Sequence, residues 1–186
     1  MGKVAKRLLT AEEFMKMPDP KDGSQQELLR GEIITMPPPQ GKHGLVCSLL
    51  VGLINTHVRS NRLGFVTCND AGFISERDPD SVRGPDIAFW SRERLPTFPD
   101  DGYLPIAPDL AIEVLSPSDR SGRITEKVLH YMKTGVRLVL LIDPAVRTVS
   151  AALPPNEHMT YEEGQIIEAL KVLLPGLEIA VSDLFV

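Results

Sequence analysis

The chain has 186 residues, 42% of them hydrophobic, with a formal net charge of −5 and a sequence pI of about 5.4. That length suits one domain with a sizeable core, and the acidic balance excludes a protein coated in basic surface for non-specific nucleic-acid binding, though not a local basic groove. No run of 18 apolar residues occurs and no apolar signal core follows the basic start, Met1 to Arg7, so the expectation is a cytoplasmic protein with no membrane span.

In chain order, Thr10 and Glu13 form a capping box for a short helix, Ala11 to Met17, stopped by Pro18. After a polar loop to Ser24, Glu27 to Met36 reads as a β-hairpin turning at Arg30-Gly31. The triple proline Pro37-Pro38-Pro39 then serves as a rigid connector rather than a ligand for a partner domain. Lys42 to Ser60 is the strongest helix, with Leu45, Leu49, Gly52, Leu53 and Thr56 as its stripe and Val46, Leu50 and Ile54 widening it. Strands follow at Gly64 to Cys68 and Gly72 to Ser75. Two further strands, Gly84 to Trp90 and Asp109 to Leu115, flank a Pro-rich acidic loop. Gly122 to Lys133 is a second helix, and Val136 to Ile142, apolar except for Arg137, is a run of parallel-strand type. Thr148 to Leu153 is another strand, and Met159 to Val172 reads as a hairpin through Glu163-Gly164. An apolar tail runs from Leu174 to Val186. The order predicts an α/β or α+β domain, a mixed central sheet flanked by helices. A single domain over 1–186 is expected: an N-terminal helix and loop to residue 24, a core from 25 to 153 carrying the site, and a C-terminal hairpin and tail from 154 to 186.

The chemistry is carried by two strands that each hold a carboxylate where a core strand ordinarily holds Val or Ile: Asp86 in Pro85-Asp86-Ile87-Ala88 and Glu113 in Ala111-Ile112-Glu113-Val114. Burying unpaired carboxylates side by side is costly, and a cation between them removes the cost. Hard oxygen ligands favour Mg²⁺ or Mn²⁺ and phosphate chemistry. The carbonyl of Val114 is a further candidate ligand. On the helix after the second strand, Ile124, Val128, Tyr131 and Met132 form the buried stripe. Lys127 lies about 40° from Tyr131, at the stripe's margin. From there it reaches back over the strand, whereas Glu126 and Lys133 point to solvent. Asp86, Glu113 and Lys127 therefore converge.

Each residue also has a plainer reading. Asp86 ends a strand and caps a turn, Glu113 is a buried acid paired with Lys127 or an arginine, and Lys127 is a solvated helix residue. Asp109 rivals Asp86, since it also follows a proline and shares a strand face with Glu113. His43, at the start of the long helix, is a weaker candidate for a phosphate or a metal. Arg83, Arg120 and Arg123 are candidates for backbone phosphates or are ordinary surface charge. Trp90 and Tyr131 read as core. Cys47 and Cys68 form no CxxC or Cys/His pair and read as reduced thiols in or near the core. His57 and His158 have no partner at metal-ligand spacing.

The arrangement resembles the PD-(D/E)XK nuclease superfamily and, more closely, the Uma2 family of restriction-endonuclease-like proteins. The resemblance runs through Glu27 to Glu32, Gly84 to Phe89, Pro108 to Ser118, Glu126-Lys127, Tyr131, Gly135-Val136, Leu141 to Pro144 and Leu174 to Glu178. It implies a restriction-endonuclease-like core and Mg²⁺-dependent DNA cleavage. It places Asp86 and Glu113 as metal ligands, Lys127 as the catalytic cation and Glu27 as an acidic residue supporting the site. One departure stands out: the position two after Glu113 is Leu115, not lysine, so the basic role falls to the helix at Lys127. Cutting both strands of a duplex needs two sites, so a homodimer is expected, with the tail Leu174 to Val186 and the strand Thr148 to Leu153 either forming its interface or simply completing the core. Two rival readings remain. One is a catalytically inactive module of the same fold that binds nucleic acid or protein, and the other a phosphoesterase for small substrates.

Overall fold

Two β-sheets frame the computed structural model, which describes residues 7–117 and 119–185. The basic start from Met1 to Lys6, Ser118 in the turn after the second carboxylate strand, and Val186 at the tail's end lie outside the described residues. Helix α1 (Ala11–Met15) opens with the expected capping box, Thr10 and Glu13 exchanging side-chain and backbone hydrogen bonds. It ends two residues before the expected Met17, because the residue preceding a proline disfavours helical geometry. Strands β1 (Gln25–Leu29) and β2 (Glu32–Met36) form the expected hairpin. Arg30 and Gly31 both take positive φ, 50° and 76°, the mirror-image turn whose twist matches the strands.

Helix α2 (Gly41–Ser60) leads to β3 (Gly64–Cys68), β4 (Phe73–Glu76) and β5 (Ser81–Arg83). The carboxylate strands follow as β6 (Ile87–Ser91) and β7 (Leu110–Val114). Helix α3 (Ser121–Lys133) crosses to β8 (Leu138–Asp143), and β9 (Thr148–Leu153) and β10 (Glu157–Tyr161) complete the strands. Two short 3₁₀ turns, Glu168–Val172 and Val181–Leu184, close the chain.

The larger sheet is mixed, as expected for the α+β class, with order β10-β9-β8-β7-β6-β3. Only β7 and β8 pair in parallel, because α3 carries the chain back to the end where β7 began. Its two faces follow strict alternation. Ile87, Phe89, Leu110 and Ile112 face α2 and the C-terminal segment, while Ala88, Trp90, Ala111 and Val139 face α3. The smaller antiparallel sheet, order β2-β1-β5-β4, packs beside α1 through Leu28, Val82, Ala11 and Phe14. A single central sheet was the expectation; the second sheet depends on β5, whose three residues, Ser81-Val82-Arg83, are too few and too polar to stand out as a strand.

Three further expectations are corrected. Helix α2 buries Val46, Leu50, Ile54 and Val58, one residue round from the expected stripe, and leaves Leu45 and Leu53 exposed. Its apolar arc is wide enough for either face; these four side chains pack over β6 to β8, each burial worth about 1.5–3 kcal/mol. The expected hairpin through Glu163-Gly164 is replaced by β9 pairing β10 across the 154–156 turn. The second arm coils into the first 3₁₀ turn, so that Ala169 and Leu170 reach the core. Neither candidate dimer interface is free. Strand β9 is paired on both edges, and Leu174, Leu177, Ile179 and Leu184 of the tail are buried in this chain's own core.

Candidate active site

The active-site candidates meet where the two sheets approach. Asp86 sits immediately before β6 and Glu113 is the fourth residue of β7; strands β6 and β7 pair antiparallel, so both carboxylates fall at the same end. The Val114 N–H donates to Asp86 Oδ2 at 2.6 Å, holding that carboxylate across the strands. Thus Val114 enters the site through its amide N–H, where the sequence suggested its carbonyl.

Lys127 reaches back from α3 as its position at the stripe's margin demanded. Its Nζ lies 2.8 Å from Glu113 Oε2 and 3.2 Å from Glu27 Oε1. Tyr131, one turn further on, donates its hydroxyl to Glu113 Oε1 at 2.6 Å. Glu27, on β1, is buried; it also accepts from Arg83 Nη1 at 2.6 Å and the Gly84 N–H at 3.1 Å. Arg83 is therefore a partner of Glu27, not a surface contact for phosphate. The missed strand β5 places it there by pairing β1 at Leu28 and Val82.

Burial sets the protonation of these groups. Burial pushes Glu113 up to about 7, Lys127 partly opposing it and the charges of Asp86 and Glu27 adding to it. Burial works to raise Glu27 as well, but Lys127 and Arg83 outweigh it and hold the carboxyl below its ordinary value. Lys127, despite burial, is held above its ordinary value by Glu113 and Glu27 and stays charged. Burial and then Glu113 raise the Tyr131 hydroxyl, so it remains a donor.

Two residues at this site escaped the sequence analysis in different ways. Asp70, in the turn after β3, is pushed up to about 7 by burial and by Asp86, and accepts from the Gln25 side chain. Its sequence context, Cys68-Asn69-Asp70, looks like any turn. His43 was a weak candidate; its Nε2 lies 3.2 Å from Asp86 Oδ1, and its Nδ1 lies 3.6 Å from Cys47 Sγ. The hydrogen bonds to Asp86 and Cys47 raise the imidazole to about 10, so it is charged at neutral pH. The absence of a Cys/His pair is thereby corrected: His43, at the polar start of α2, and Cys47, in its apolar run, are one helical turn apart on the same face.

Asp109, the rival of Asp86, is placed elsewhere. Fully buried at the opposite end of β7, it accepts from the Ser91 N–H at 2.7 Å and from Arg137 at 3.1 Å. It is a structural acid. Trp90 is fully buried core, its indole N–H donating to the Ile106 carbonyl at 3.1 Å.

A cleft of about 320 Å³ opens over these groups, lined by Glu27, His43, Asp70, Asp86, Glu113 and Lys127 and by Arg120 and Arg123 at its α3 edge. Both arginines are exposed. The cleft combines carboxylate oxygens, a half-buried ammonium and a cationic rim. Carboxylate oxygens are the donors that hard cations take, and a cationic rim is complementary to an anion.

Comparison with known proteins places the chain in a family. Residues 11–182 match the Uma2 family, described as "Putative restriction endonuclease". Among solved structures, the fold is similar to the crystal structure of "a putative nuclease belonging to DUF820" from Anabaena variabilis ATCC 29413. The two chains are 30% identical, with a TM-score of 0.81, over 95% of this chain and 97% of the other. The search of curated proteins finds no match. With the family match running from α1 to the last 3₁₀ turn and the nuclease fold reproduced over nearly the whole length, the chain belongs to the Uma2 family.

Proposed function

We propose that this protein is a metal-dependent endonuclease that hydrolyses DNA phosphodiester bonds. Asp86 and Glu113 act as metal ligands, Lys127 as the catalytic cation and Glu27 as the residue that positions Lys127. The observation that carries the reading is the convergence, in one cleft, of carboxylates from two paired strands with a lysine buried between Glu113 and Glu27. The donors fit Mg²⁺ or Mn²⁺: they are carboxylate oxygens, and burial makes Glu113 costly to leave ionised without a cation. When bound, the ion supplies Lewis-acid stabilisation and lowers the pKa of its water.

The chain's own residues do the rest. The Val114 N–H and the Tyr131 hydroxyl each orient one carboxylate. Lys127 holds a permanent positive charge where charge develops on the phosphoryl oxygens. Arg120 and Arg123 sit where backbone phosphates would pass. A homodimer, one site per strand of a duplex, and a cytoplasmic location belong to this reading; no helix among the described residues is long and apolar enough to cross a membrane.

A non-catalytic module of the same fold is the second reading. Lys127 and Glu113 already neutralise one another at 2.8 Å, and Leu115 stands where the superfamily pattern has lysine. Plasmid cleavage titrated with Mg²⁺ and Mn²⁺, wild type beside Asp86→Ala and Lys127→Ala, separates the two. Metal-dependent nicking or linearisation lost in both variants supports the nuclease. A well-folded wild type that shows no cleavage with either metal supports the binding module. Cleavage unchanged in Asp86→Ala means a contaminating nuclease or a misplaced site.

A further inference from the structure

Cys47 has no part in the hydrolytic scheme, yet its thiol faces the cleft's histidine. Among the described residues, His43, Cys47 and Asp86 form a group whose ligand atoms all lie within 4.8 Å of one another. His43 and Cys47 are four residues apart on α2, so one helix face presents both. Asp86 arrives from the entry of β6. Glu113 is not in the group; it meets Lys127 and Tyr131 instead.

We propose that His43, Cys47 and Asp86 form a binding site for a borderline transition-metal cation of the Zn²⁺ or Co²⁺ type, distinct in its donors from the hard-cation site and sharing Asp86 with it. The donor set is one sulfur, one imidazole nitrogen and one carboxylate oxygen. Thiolate and imidazole select Zn²⁺ and its neighbours and give Mg²⁺ nothing it prefers. With ordinary Zn–N, Zn–O and Zn–S bonds, ligand atoms around a tetrahedral ion stand about 3.4–3.6 Å apart. Here His43 Nε2 lies 3.2 Å from Asp86 Oδ1 and its Nδ1 3.6 Å from Cys47 Sγ, so the ring meets its two partners through different nitrogens. Binding therefore requires the imidazole to turn until one nitrogen serves the metal, and His43 and the Cys47 thiol each to release a proton. Three protein ligands leave the fourth position to water, the pattern of an accessible rather than a closed structural site; two of them, His43 and Asp86, line the cleft. Because Asp86 serves both sites, a borderline cation bound here competes with Mg²⁺ for that carboxylate. This competition rests on the nuclease reading; the site itself does not.

The test uses the full chain carrying Cys68→Ser, which removes the exposed second thiol. Co²⁺ is titrated without DNA while near-ultraviolet and visible absorption are followed. The expected result is a thiolate-to-cobalt charge-transfer band with tetrahedral ligand-field bands, bleached by one equivalent of Zn²⁺. Cys47→Ser abolishes the thiolate band, and His43→Ala and Asp86→Asn each weaken Zn²⁺ binding. Each loss exceeds the ~10- to 100-fold that removing a partner outside the coordination sphere costs. Trp90 fluorescence confirms that each variant is folded. Absence of a thiolate band, or unchanged Zn²⁺ affinity in Cys47→Ser or His43→Ala, overturns the site; unchanged affinity in Asp86→Asn overturns the sharing. A protein that shows the thiolate band but never cuts plasmid keeps this site and loses the nuclease reading. One that cuts with Mg²⁺ and shows no band does the reverse.

Discussion

Glu27→Gln probes the most heavily loaded group of the site. The carboxylate is 4% exposed and accepts from three donors, Arg83 Nη1, the Gly84 N–H and Lys127 Nζ. An amide offers one acceptor oxygen and turns its NH₂ toward the remaining donors, so one set loses its partner and faces a donor instead. Lys127 keeps Glu113 at 2.8 Å. Arg83 is worse placed: it is 6% exposed, and its Nε is already buried without a partner among the described residues. Stranding a buried charge in this way costs about 3–5 kcal/mol, which lowers Tm by about 6–20 °C for a chain of this size. Urea unfolding in EDTA, followed by the single tryptophan, Trp90, reads the loss directly. The paired replacement Glu27→Leu with Arg83→Met removes both charges together. It recovers most of the stability, since apolar substitutes for a buried ion pair are often neutral. A change within about 0.5 kcal/mol for Glu27→Gln, the range of ordinary surface substitutions, would refute the argument that Glu27 carries buried charge.

Asp109→Asn removes the buried partner of Arg137 and of the Ser91 N–H; it lowers stability by about 2–4 kcal/mol yet leaves metal-dependent cleavage per folded molecule unchanged, as plasmid assays on the purified variant will show. In metal-free protein, Glu113 rises from 4.5 to about 7 on folding. Folded protein therefore binds more protons across that window, and Glu113 makes stability fall as pH rises through it. Glu27, lowered on folding, acts oppositely: its contribution is present above 4.5 and lost as pH falls through the folded value. Glu113→Gln accordingly lessens the fall of the pH 5–7 limb of the stability profile, where Asp70, raised from 3.8 to about 7, leaves a slope of comparable size; an unaltered limb counts against the desolvation of Glu113. Gly64→Ala places a Cβ 1.9 Å from the Trp90 carbonyl oxygen, a backbone clash between β3 and β6 that no rotamer relieves. Soluble yield and Tm drop sharply, by more than about 3 kcal/mol of stability, whereas Gly52→Ala, with open space around it, stabilises α2 slightly.

Legibility followed the range of the interactions. Thr10 with Glu13, Arg30-Gly31 and the run Leu138 to Ile142 were readable because caps, tight turns and unbroken apolar strands depend on neighbours within a few residues. Asp86, Glu113 and Lys127 were readable for a related reason: a carboxylate in a core strand and a lysine at the edge of an apolar stripe break a local rule. Glu27 was found only through the family resemblance, since a hairpin acid breaks no such rule.

Other features were set by packing. The face that α2 buries was undecided by its own residues, because Leu45 and Leu53 are as apolar as Leu50 and Ile54; contact with β6 to β8 chose between them. The three-residue strand β5 exists because β1 and β4 flank it, and through it Arg83 meets Glu27. Asp70 became a buried acid only when its turn packed against Gly84, where a Cβ would lie 2.5 Å from the Asp70 carbonyl oxygen. The sequence by itself determined which side chains have chemistry to offer and which local elements carry them. Only the tertiary structure decided which of those side chains meet, because burial and charge pairing depend on residues as far apart in the chain as Glu27 and Lys127.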